Sequence, residues 1–111
     1  MNWTKLTNPE QLSYLKDSAG TALIFKHSTR CSISNTVLSR LERNWNEAEM
    51  QQITPYYLDL LTYRNISDKI AELFEVQHES PQVLIIRKGK SVYHASHFDI
   101  GYEHLKAVVR N

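Results

Sequence analysis

The sequence predicts a single α/β domain over residues 1–111, built on a central mixed sheet of four to five strands flanked by helices in the order β-α-β-α-β-α-β-β-α. Two continuous apolar runs, Ala22-Leu23-Ile24-Phe25 and Val83-Leu84-Ile85-Ile86, have the length and composition of strands covered on both faces. Between them, apolar residues recur at helical spacing, first at Ile33, Val37, Leu41 and Trp45 and then at Ile66, Ile70, Leu73 and Phe74. Two hydrophobic strands with helices between them imply parallel pairing through right-handed crossovers, and a closing hairpin adds an antiparallel strand. A chain of 111 residues supports one core and not two.

The elements follow in order. Residues 3–6 make a short edge strand, and Asn8-Pro9-Glu10-Gln11 is a helix-start signature. Asn8 caps, Pro9 fills the first helical position, and Gln11 reaches back to the cap. Leu12 and Leu15 supply that helix's apolar face, and Gly20 closes it before a strand at 21–26. The next helix starts at Cys31 and runs to about Trp45, with Arg40, Glu42, Arg43 and Glu47 on a solvated face. A strand at 53–59 carries Pro55, which lacks a ladder donor and therefore sits at a strand end or on an edge. Asn65 is the expected cap of the third helix, with Asp68 in its first turn. Arg87-Lys88-Gly89-Lys90 turns the fourth strand into a hairpin with 91–96, and Asp99 is the expected cap of a last helix bearing Tyr102, Leu105, Val108 and Val109 inward.

The chemistry gathers around Lys26-His27-Ser28-Thr29-Arg30-Cys31-Ser32-Ile33-Ser34. This places Cys31, the only cysteine, at the carboxyl end of a central strand and the start of a helix, where open α/β sheets bind ligands. The thiolate is the nucleophilic form of cysteine, and helix N-termini and neighbouring basic groups favour it. Arg30, Lys26 and His27 supply the basic neighbours, and Ser34 is spaced to offer its hydroxyl to the sulfur. A lone cysteine is most often a small buried hydrophobe. The polar lead-in from Ser28 to Arg30 argues for a reactive thiol instead.

Composition narrows the classes. Thirteen basic and twelve acidic residues leave a net charge of +1, which implies no general attraction to nucleic acid. No apolar run reaches the ~18 residues of a membrane span, and no signal-peptide core is evident near the start. One cysteine forms no internal disulfide, which fits a reducing, cytoplasmic setting. No His/Cys pairing has zinc-ligand spacing, His78 reads as a loop histidine, and three glycines make no phosphate loop, so neither a metal nor a tightly bound cofactor is expected.

The order of elements, a cysteine opening the second helix and a proline before the fourth strand together resemble the thioredoxin fold. The run from Phe25 to Ser34, with Ser80-Pro81-Gln82-Val83-Leu84, more narrowly resembles the monothiol bacilliredoxins, the YtxJ-like family of the bacillithiol system. The resemblance covers essentially the whole chain. Members typically carry proline directly after the cysteine, where this chain has Ser32, leaving one more backbone N–H near the sulfur.

That resemblance implies a thiol–disulfide oxidoreductase that takes bacillithiol, its co-substrate, off proteins holding it as a mixed disulfide, with Cys31 as nucleophile. Because Ser34 replaces a second cysteine, resolution falls to an external low-molecular-weight thiol or a separate reductase. It further implies that Pro81 is cis and faces the thiol, that the backbone of Ser80 pairs with an extended substrate, and that Lys26, His27, Thr29 and Arg30 line the site, the three basic residues placed to receive bacillithiol's carboxylates. Two rival functions share parts of this pattern: an iron–sulfur cluster carrier of the monothiol-glutaredoxin type, and a non-catalytic thioredoxin-like stress or interaction protein. In the first of these groups Gly-Phe stands where this chain has Ser32-Ile33.

Overall fold

The computed structural model describes every residue from Met1 to Asn111. Five strands, β1 (Thr4–Lys5), β2 (Thr21–His27), β3 (Ile53–Asp59), β4 (Gln82–Arg87) and β5 (Lys90–Ser96), form one sheet in the order β1-β3-β2-β4-β5. Four α-helices, α1 (Glu10–Asp17), α2 (Ser32–Asn44), α3 (Arg64–Phe74) and α4 (Tyr102–Arg110), flank it. No helix is long and apolar enough to cross a membrane.

Strand β2 is central because its residues have no polar side to offer solvent. Leu23, Ile24 and Phe25 are wholly buried, and successive side chains serve opposite faces. Ala22 and Ile24 join Leu12 and Leu15 of α1 and Ile66, Ile70 and Phe74 of α3 in one core layer. Leu23 and Phe25 join Val37 and Leu41 of α2 and Leu105 and Val109 of α4 in the other. Each fully buried aliphatic or aromatic side chain contributes about 1.5–3 kcal/mol, so the two layers supply most of the folding energy.

Strand direction departs from expectation. β1 and β2 run parallel to β3, but β4 runs antiparallel to β2 instead of parallel to it. The chain between β3 and β4 explains the reversal. An eleven-residue α3 descends about 16 Å along the sheet, and the residues after it, starting at left-handed Glu75, are long enough when extended to climb back. β4 therefore starts at the end of the sheet where β2 finishes, with Gln82 opposite Lys26. Contrary to expectation, Pro55 sits neither at a strand end nor on an edge strand but third in interior strand β3; it precedes the stretch covered by two-residue β1, so its missing donor disrupts no ladder.

Helix starts move by small, explicable amounts. Asn8 Oδ1 accepts the Glu10 N–H at 2.9 Å, and Gln11 Oε1 accepts the N–H groups of Thr7 and Asn8, which is the capping arrangement expected for α1. Asn65, in contrast, lies inside α3. The Asp59 carboxylate holds the N–H groups of Leu61 and Thr62, and that turn delivers the chain into the helix already at Arg64. Asp99 does not cap α4 either. It belongs to a 3-10 turn, His97–Asp99, after which Ile100 stays extended to bury itself and α4 starts beyond Gly101. At the β4–β5 turn Lys88 and Gly89 both have positive φ, the two-residue hairpin geometry whose twist matches the strands. A Cβ on Gly89 would lie 2.1 Å from the Lys16 carbonyl, so only glycine lets the hairpin seat against α1.

Candidate active site

Cys31 occupies the N-cap position of α2, in extended geometry at φ −103° and ψ 121°, and is half-buried. A side-chain acceptor at this position faces the first-turn N–H groups that lack helical partners, together with the positive end of the helix dipole. The turn before it is tied by main-chain bonds. The Cys31 N–H donates to the Ser28 carbonyl at 3.1 Å, and the Asn35 N–H donates to the Cys31 carbonyl at 3.0 Å. Two further bonds stitch the neighbouring loops to this end of the sheet: Leu60 N–H to the His27 carbonyl and His97 N–H to the Pro81 carbonyl, both 3.0 Å. The Ser80–Pro81 bond is cis.

Ser34 departs from its expected role. Its hydroxyl is buried and engaged away from the sulfur, 2.7 Å from His27 Nδ1 and accepting the Ser28 N–H at 3.1 Å. The same register buries Ser34 and leaves Ile33 exposed, because the first turn of α2 packs its polar member onto the strand end. Ser34 thus braces the loop that presents Cys31.

The basic residues divide. Arg30 and Thr29 are exposed in the turn, with the Thr29 carbonyl accepting from Asn35 Nδ2. His27 is 3% exposed and packs among Phe25 and Tyr57, with ring centroids 6.0 and 5.6 Å away. Burial lowers its pKa below the ordinary histidine value, opposed by Asp59, by a hydrogen bond with Asn35 and by Glu42. Lys26 is wholly buried and points to the α3 face, where Nζ lies 3.3 Å from the Ser67 carbonyl and 3.3 Å from His78 Nδ1. Burial pushes its pKa down to about 8, partly offset by Asp68. Neither Lys26 nor His27 presents a cation at the surface, which corrects the expectation that they receive carboxylates there. Alternation along β2 sends the two to opposite faces, and the sheet closes over both.

Sequence reasoning missed three contributors. Gln82 lies buried opposite Lys26, Ser67 comes from α3, and exposed Ile33, Leu61 and Phe98 follow or precede the elements that meet at the same end of the sheet. The Gln82 position follows from strand pairing, which the sequence does not print.

The mixed five-stranded sheet, its helices and a single thiol opening α2 define a thioredoxin-fold, monothiol redox protein. Solved structures agree on the fold. A candidate oxidoreductase with a thioredoxin fold is 29% identical with a TM-score of 0.80, covering 96% of this chain and 92% of that one. Thioredoxins from Malassezia sympodialis (11% identity, TM-score 0.77, 98% of this chain and 89% of that one) and Trypanosoma brucei brucei (16%, 0.72, 98% and 88%) share the fold alone. Residues 4–105 match the monothiol bacilliredoxin BrxC family, and the chain belongs to it.

Proposed function

We propose that this protein removes bacillithiol from protein mixed disulfides through Cys31. The Cys31 thiolate attacks the bacillithiol sulfur, the client sulfur leaves as thiolate and takes up a proton, and Cys31 is left disulfide-bonded to bacillithiol. An external thiol then attacks that disulfide, because the chain carries no second cysteine. Exposed Arg30 and Thr29 receive the bacillithiol moiety, and the backbone of Ser80 pairs with an extended client segment.

The observation that carries this reading is the sole thiol, half-buried at the N-cap of α2, in a chain of the monothiol bacilliredoxin family. Intact mass spectrometry tests it. A client carrying bacillithiol as a mixed disulfide is incubated with wild type and with Cys31→Ser, and both masses are followed. Transfer of the adduct to the wild type alone, faster than free bacillithiol removes it, is the expected result. No transfer to either protein overturns the reading.

A further inference from the structure

The strand end behind the thiol holds a second basic group that the exchange chemistry leaves unused. Lys26 has no solvent exposure and lies on the face of the sheet opposite α2. Burying an ammonium is expensive unless it is well paired, and a methionine would fill the same space without that cost. The partners of Lys26 therefore bear on why a charge is there.

We propose that Lys26 is a positioning residue that, with His78, clamps residues 77–80 to the end of β2 and so fixes the backbone edge on which a client chain docks. The docking half of this statement rests on the function proposed above; the clamp does not.

Four contacts carry the proposal. An ammonium only donates, so His78 Nδ1, 3.3 Å from Nζ, accepts, and the neutral His78 ring keeps its proton on Nε2. The Ser67 hydroxyl lies 3.3 Å from the same Nδ1, and the Ser67 carbonyl takes a second ammonium proton, so α3 and the segment are gripped together. Gln82, opposite Lys26 across the strand pair, donates from Nε2 to the Gln77 carbonyl at 3.0 Å. Its buried Oε1 has no donor, while the ammonium has a third proton to give. Residues 77 and 78 are thus held by two adjacent strands just before Pro81.

The charges facing the pair set its pH response. Asp68 from α3 favours the Lys26 ammonium. Burial, Lys26 and Arg64 all lower the His78 pKa, against Asp68 and Glu79. When His78 does take a proton, its acceptor becomes a donor facing an ammonium, and the clamp opens.

NMR on the full chain tests this with wild type, Lys26→Met, His78→Ala and His78→Asn. The Asn side chain keeps an acceptor where Nδ1 lies, and His78 is a surface residue whose replacement leaves the core intact. In wild type the His78 proton is expected on Nε2, with backbone order parameters of about 0.8 over 77–80. His78→Ala and Lys26→Met should drop them below about 0.6, and His78→Asn should keep them. Lys26→Met should also raise the His78 titration midpoint, because the ammonium faces His78 Nδ1. In the transfer assay the Ala and Met variants should slow at least about fivefold, while their reaction with a small aromatic disulfide is unchanged. Order parameters equal in all four proteins overturn the clamp, and equal slowing toward the small disulfide overturns the positioning role. A wild type that transfers nothing defeats the bacillithiol reading, and the NMR pattern alone then decides the clamp.

Discussion

Lys26 and His27 are consecutive, basic and buried, yet they hold different parts of the molecule. His27 is bound by a partner seven residues away, Ser34, in the helix that carries the thiol. Lys26 is bound by Ser67 and His78, 41 and 52 residues away. One strand end thus supports two things through two faces: the cysteine on the α2 side, and the segment leading to Pro81 on the α3 side. The lesson is that a thiol site of this kind has a near brace, built locally, and a far brace, built only when the sheet closes.

Replacing the thiol itself has the largest expected effect. Cys31→Ser should reduce transfer to the rate of free bacillithiol while leaving both braces, and the unfolding midpoint, unchanged. Ser34→Ala removes the near brace. It leaves His27 Nδ1 and the Ser28 N–H without their partner, so stability should fall by about 1–3 kcal/mol in urea unfolding. Lys26→Met should shift stability by a similar amount in the opposite direction at pH 7. Its depressed pKa of about 8 means the unfolded chain binds the proton more tightly, a penalty of about 1–3 kcal/mol. That penalty is fully present below pH 8 and disappears as pH rises toward 10.5, so the advantage of the Met variant should vanish over the same window in pH-dependent unfolding curves.

The near brace has its own pH signature. The His27 pKa is lowered by burial, so its contribution to stability is intact above pH 6.5 and is lost as pH falls below that value. His27→Phe should flatten this acid limb, measured by urea midpoints at pH 7 and 5. The smallest expected effect is at the surface. If exposed Arg30 meets a bacillithiol carboxylate, Arg30→Gln should raise KM about two- to fivefold, with the difference shrinking in high salt.

The two braces were unequally legible. The apolar run 22–25, the helix after Cys31 and a proline before the fourth strand announced the fold and the thiol's place in it, because burial on both faces and helical spacing are local patterns. The direction of β4 was not legible, since it depends on how far the chain after Glu75 climbs back. Ser34 was expected to face the sulfur and instead bonds His27: its spacing from Cys31 is visible in the sequence, but its burial against the end of β2 is not. Asn65 and Asp99 had capping side chains at the wrong register, displaced by the Asp59 turn and by the need to bury Ile100. The partners of Lys26 were out of reach, because a contact spanning 52 residues exists only in the folded sheet.

The loops around Cys31 are joined by main-chain bonds, Cys31 to Ser28, Leu60 to His27 and His97 to Pro81. Such bonds do not depend on which side chains the loops display. Replacing exposed Arg30, Leu61 or Phe98 therefore leaves intact the main-chain scaffold that presents the sulfur. The shape of the working end is set by the main chain, and its chemistry by side chains that the main chain does not constrain.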